Sequence, residues 1–147
     1  MKILVPIDGS AHSVEAVRHL VEHVRWYRDQ PTVDLVCVQP PLPTRLPHMA
    51  LSAHEIERYY QEEGTAALAM AKTLLERAGI AHSAHILVGA AAESIVDQSR
   101  KSGADLILLT TRGMGGAGGP VLGSTALRTV HLSTAVPVLV VNCGMSF

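Results

Sequence analysis

The chain is predicted to fold in the α/β class, as an open five-stranded parallel sheet with helices on both faces. Three observations carry that reading. Short apolar runs alternate with amphipathic stretches of helix length, in four strand–helix pairs and a last strand, an order that argues for parallel strands joined by right-handed crossovers. Hydrophobic residues make up 48% of the chain but aromatics only 3%, so the core is Val, Leu, Ile and Ala, as parallel strands buried on both faces require. Glycines punctuate the strand-to-helix turns, at Gly9, at Gly89 and in the run that starts at Gly113. At 147 residues, without an internal repeat or linker, the chain is read as one domain, 1–147, with a core large enough to fold unaided.

In order, Ile3, Leu4 and Val5 centre an apolar run over 2–7, a buried first strand that ends at Asp8-Gly9-Ser10. Ser10 is a helix N-cap, and Val14, Val17, Val21 and Val24 form one face of a helix reaching about Tyr27. Residues 33–38 are the second strand. Residues 39–51 carry Pro40, Pro41, Pro43 and Pro47, so they form a long loop of the kind that often serves as a functional lid. Ser52-Ala-His-Glu55 has the form of a capping box. The helix it opens runs through Ile56, Tyr60, Ala67, Met70 and Leu74 to a stop at Gly79, with Gly64 a weak point inside. Residues 84–88 are the third strand, and their polar lead-in marks an edge. Gly89 turns the chain into a helix over 91–102, with Ala92, Ile95, Val96 and Ser99 inward and Gly103 as its end. The fourth strand is 105–110, a helix starts at Ser124, and Pro137 opens the last strand, 138–141.

Composition excludes several classes of function. A net charge of −1 without a Lys/Arg cluster leaves no footprint for nucleic acid, and one Phe, one Trp and three Tyr argue against a base-stacking platform. The start is too short in apolar residues for a signal peptide, and no run approaches a membrane span. Cys37 and Cys143 lie in or beside apolar strand-like runs, without CxxC spacing, which fits buried thiols in a soluble cytoplasmic protein.

The chemistry concentrates between Thr110 and Ser124. Six glycines there join a buried strand to a helix, so backbone amides and the helix dipole can meet an anion, most simply a phosphate-bearing ligand. Gly113-Met-Gly115-Gly-Ala-Gly118 matches the G-x-G-x-x-G dinucleotide pattern, but it follows the fourth strand rather than the first and Pro120 interrupts the expected helix. A Walker-type loop is absent, as is Gly-x-Ser-x-Gly. Ligands in such sheets bind beyond the strands' carboxyl ends where the strand order reverses; if the first and fourth strands are neighbours, Asp8 faces the glycine segment.

The wider pattern is Val5-Pro6-Ile7-Asp8-Gly9-Ser10, Gly89 before a helix, and Gly103-Ala104-Asp105-Leu106-Ile107 leading into Thr111-Arg112-Gly113. Nine residues then precede Gly123-Ser124, and Pro137-Val138-Leu139-Val140-Val141 closes the chain. In this order the pieces resemble the universal stress protein family over essentially the whole length. The resemblance implies a Rossmann-like sheet of strand order 3-2-1-4-5 and a homodimer through the last strand. It also implies a motif of Gly, two residues, Gly, nine residues and Gly-Ser/Thr that binds ATP, or ADP or AMP, with Mg²⁺ or Mn²⁺ as an accompanying ion. By that resemblance Gly113, Gly123 and Ser124 wrap the phosphates, with Thr125 in the helix N-terminus. Pro6 and Asp8 sit by the nucleoside, and the backbone near Val38 meets the adenine. Thr110 stands where the first motif glycine belongs, a β-branched residue ill-suited to φ > 0. Arg112 is left as the local cation, because 114–122 hold no Lys or Arg.

Other constellations have simpler readings. Asp8 could cap the helix that follows it. His19 and His23 stand at i, i+4 without a third ligand and are expected to be a solvated pair, while His82 and His85 point to opposite faces of a strand. No general base is poised by a nucleophile, so the expected function is a nucleotide-binding stress-response or signalling module with little or no hydrolysis. The alternatives are a dimer that binds no nucleotide and acts through protein partners, and a slow metal-dependent ATPase using Asp8.

Overall fold

The computed structural model describes residues 1–43, 51–112 and 122–142. Its strands are β1 (Lys2–Pro6), β2 (Thr32–Gln39), β3 (His82–Val88), β4 (Leu106–Thr110) and β5 (Val138–Val141). They form one parallel sheet in the order β3-β2-β1-β4-β5, with β3 at an edge as expected. The helices are α1 (Ala11–Glu22), α2 (Ala53–Arg77), α3 (Ala91–Lys101) and α4 (Ser124–Leu132).

Alternation along the strands divides the core in two. Ile3, Val5, Leu35 and Leu108 pack with Ala16, Val17 and Leu20 of α1 and Leu68, Ala71 and Leu75 of α2. Leu4, Val36, Ile107 and Leu109 face the other way, onto Ile95 of α3 and Ala126 of α4. Fully buried residues such as Leu20, Leu35 and Ile107 each contribute about 1.5–3 kcal/mol of transfer free energy. Below the sheet, the Lys2 amide donates to Asp105 at 2.7 Å and the Asp105 amide returns a bond to the Lys2 carbonyl at 2.8 Å, which ties β1 to β4.

The caps follow their chemistry. Ser10 accepts from the Ser13 amide, and Ser52 and Glu55 complete both halves of the capping box. Gly79 and Gly103 end α2 and α3 at φ +67°, a left-handed turn that favours glycine. Three expectations are corrected. The first helix ends at Glu22, and a 3₁₀ turn (Val24–Trp26) carries the chain on. In α2 the buried row is Tyr60, Gly64, Leu68, Ala71 and Leu75, while Met70 is 54% exposed. Gly64 is a packing site rather than a weak point, since a Cβ there would lie 2.7 Å from Ile86 of β3. Of the proline-rich loop, residues 39–43 and 51 are described, and Tyr60 anchors its base: the phenol accepts from the Leu42 amide at 2.7 Å and the Tyr60 carbonyl accepts from Gln39.

Candidate functional site

Strand order reverses between β1 and β4, so the chain leaves these neighbours in opposite directions and a crevice opens above them. On the β1 side, Gly9 takes φ +84° and turns the chain into α1. The Asp8 carboxylate accepts from the Ser10 amide at 2.9 Å and from the Ser10 hydroxyl at 2.5 Å. The Ser10 hydroxyl oxygen in turn accepts from the Ser13 amide at 3.1 Å, and Ser13 donates its own hydroxyl to the Ser10 carbonyl. Ser10 is therefore the helix cap, and Asp8 orients the cap and holds its own half-buried carboxylate at the crevice.

On the β4 side Thr110 lies in the strand with its side chain buried, and its hydroxyl donates to the Arg112 carbonyl at 2.7 Å. No described non-glycine residue has positive φ, so the conformational difficulty expected of Thr110 does not arise. The Thr111 amide bonds Val141 at 3.0 Å, and the Gly123 amide bonds the Thr111 carbonyl at 2.6 Å. A Cβ on Gly123 would sit 3.0 Å from that carbonyl, tight enough to push the two segments apart. Gly123 is needed for this close approach, not for an unusual dihedral.

The helix N-termini divide in the same way as the site. α1 and α2 are capped by serine side chains. α3 and α4 have Ala90 and Gly123 at the N-cap, with no side-chain cap bond. Their first-turn amides are the donors that intrahelical bonding leaves over, at the positive end of each helix dipole. Both helices contribute to one cavity of about 280 Å³ at the crevice, through Ala91 of α3 and Ser124 and Thr125 of α4. That volume is near the lower end for small-molecule sites, about 300 Å³. Its lining is part apolar (Ile7, Val36, Val38, Ile95, Leu109 and Ala126) and part polar (Asp8, Ser13, Thr110, Thr111 and Arg112). Apolar side chains beside hydroxyls and helix amides suit a flat ring carrying an anionic tail.

Of the residues singled out in the sequence, Pro6, Asp8, Val38, Thr110, Arg112, Gly123, Ser124 and Thr125 all line this cavity. Gly113 lies outside the described residues, as do Cys143 and the rest of 113–121. Ser13, Thr111, Ala91 and Ile95 line it without having been singled out. Ser13 had a signal, standing three residues after the capping Ser10, whereas the α3 residues enter through packing of two helices far apart in sequence.

The remaining constellations fall away from the crevice. His19 and His23 are partly buried and stacked at 4.1 Å, with Trp26 4.2 Å from His23, so they form a ring cluster rather than a solvated pair. Among the described residues no group of three His, Cys, Asp or Glu could hold a metal. Cys37 is a buried thiol on β2, and burial, then the nearby Asp8 charge, raises its pKa above the ordinary value and keeps it protonated. No helix among the described residues is long and apolar enough to cross a membrane.

Comparison with known proteins agrees with this architecture. A universal stress protein of Methanocaldococcus jannaschii is 34% identical over 141 residues, spanning 96% of this chain and 81% of the relative. The solved structure of protein MJ0577 is 26% identical and superposes with a TM-score of 0.80 over 99% of this chain and 97% of its own. A universal stress family protein of Arabidopsis thaliana, solved with AMP bound, shares 17% identity at a TM-score of 0.67, over 97% of this chain and 91% of that one. Two further neighbours are complexes with cAMP and with dAMP, at TM-scores of 0.66 and 0.62. The universal stress protein family model matches residues 1–142, and the chain belongs to that family.

Proposed function

We propose that this protein binds an adenine nucleotide (ATP, ADP or AMP) in the crevice between β1 and β4, and works as a nucleotide-responsive stress or signalling module rather than an efficient catalyst. The carrying observation is the cavity itself, where two helix N-termini without side-chain caps meet apolar side chains of the sheet. In this reading the base lies against Val38 and Pro6, and Asp8 meets the ribose. The amides and hydroxyls of Gly123, Ser124 and Thr125 receive phosphate, with Arg112 as the adjacent cation. Gly113 joins them by its place in the family motif. The AMP, cAMP and dAMP held by structural neighbours support the choice of adenine.

Weak hydrolysis follows from the donor set. Asp8 is the one carboxylate among the described residues lining the cavity, and its oxygen is engaged by Ser10. A Mg²⁺ or Mn²⁺ ion would be carried by the phosphates with Asp8 at most as a single protein ligand, since no protein cage is present among the described residues. Single-turnover assays with either ion test this: turnover abolished by Asp8→Asn would establish an ATPase instead of a binding module. We further propose a homodimer through β5, which terminates the sheet and leaves Leu139 exposed, with Leu127 and Val130 exposed separately on α4. The reduced, buried Cys37 suits a cytoplasmic location.

Mass spectrometry of small molecules released from the purified protein tests the main proposal. An adenine nucleotide near one per chain is expected. A nucleotide-free preparation that also shows no thermal shift with ATP, ADP or AMP would overturn it.

A further inference from the structure

The Glu93–Arg128 ion pair bridges the two helices that form one wall of the cavity. Glu93 lies two residues beyond Ala91 in the first turn of α3, and Arg128 lies one turn beyond Ser124 on α4; Ala91 and Ser124 both line the cavity. The Arg128 Nε donates to Glu93 Oε1 at 2.6 Å, and a second guanidinium nitrogen reaches the same oxygen. Arg128, as hydrogen-bond donor, holds the Glu93 carboxyl below the ordinary carboxylate value, so the pair is fully charged at neutral pH. Both side chains face solvent, at 63% and 40% exposure, so their influence on a ligand runs through water rather than through contact.

Within the cavity the charged side chains are Asp8 and Arg112, one of each sign, and residues 114–122 supply no Lys or Arg. The cavity therefore has little net charge of its own against a polyphosphate. Along their helices Glu93 and Arg128 stand about half a turn and about one turn from lining residues, roughly 3–6 Å, so both lie within a Debye length of the cavity wall.

We propose that Glu93 and Arg128 exert opposing pulls on the number of phosphates this site prefers: Arg128 favours each added phosphate, Glu93 offsets that gain, and the intact pair holds the two in balance. The inference rests on the adenine-nucleotide reading above. ATP carries about two more negative charges than AMP at neutral pH. Two added charges about 10 Å from one unit charge change affinity by about threefold in low salt. Removing the acid should therefore favour ATP over AMP, and removing the base should do the reverse.

Titration calorimetry of AMP and ATP, without divalent ions and at about 10 mM salt, tests this on wild type, E93Q, R128Q and the double variant, with thermal unfolding to verify folding. The ATP-to-AMP affinity ratio is expected to rise about threefold in E93Q, fall about threefold in R128Q, return to the wild-type value in the double variant, and flatten in high salt. Unchanged ratios in both single variants, with wild type binding normally, would overturn this proposal alone. So would equal weakening of AMP and ATP in both variants, the result of a simple tether between α3 and α4. If wild type binds neither nucleotide, the site reading falls and takes this proposal with it.

Discussion

Thr110 shows what a sequence can and cannot say about a single residue. Its place in the family motif was legible, and so was its β-branched stiffness. Its consequence was not, because that depends on whether the position requires positive φ. The residue is extended in β4, with its hydroxyl on the Arg112 carbonyl, so it braces the turn that leads out of the strand. Thr110→Gly should therefore weaken ligand binding rather than improve it, and cost about 1 kcal/mol of stability through the lost hydrogen bond and added chain entropy. Denaturant unfolding and ligand titration of the variant check both; tighter binding would show that the side chain obstructs the site. Gly123 teaches the complementary lesson. Its spacing to Gly113 could be read from the sequence, while its 2.6 Å bond to the Thr111 carbonyl is a tertiary fact.

Among the elements, starts and stops were easier to read than faces. Ser10, Ser52 with Glu55, Gly79 and Gly103 act locally, so their capping roles follow from sequence. The buried row of α2 does not, because its Ala-rich sequence offers two nearly equivalent apolar rows. The row that wins is the one whose Gly64 lets the helix approach Ile86. Gly64→Ala should destabilise the fold by about 1–2 kcal/mol, because overpacking against Ile86 outweighs the gain in helix propensity. Equilibrium denaturation measures it, and a stabilised variant would contradict the packing argument. The far end of α1 carries a pH dependence. Burial, then the charge of His23, lowers the His19 pKa below its ordinary 6.5. The unfolded chain then takes up that proton first as pH falls, so stability is lost on passing downward through about 6.5. His19→Gln should flatten this part of the Tm–pH profile between pH 8 and about 5. An unaltered profile would show that His19 does not carry this pH dependence.

For the whole molecule, alternation of apolar runs was enough to establish the parallel sheet and its helical cover. The adjacency of β1 and β4 was not, because spacing along the chain is silent on strand order; the family resemblance supplied it and the observed register agrees. That adjacency creates the crevice. It brings Asp8 from one end of the sequence to Thr110, Arg112 and Gly123 from the other. At the sheet's β5 edge, Leu139→Lys should shift the chain from dimer to monomer in sedimentation velocity, since it puts a charge on the proposed interface. A wild-type monomer at micromolar concentration would exclude that interface. The central claim, an adenine nucleotide held between β1 and β4, is tested most directly by titrating nucleotide-free protein with AMP and ATP in a calorimeter while following Tm. Saturable heat at one site per chain is expected, with stabilisation of about 2.7 kcal/mol when ligand reaches a hundred times Kd. No heat and no change in Tm at millimolar nucleotide would contradict it.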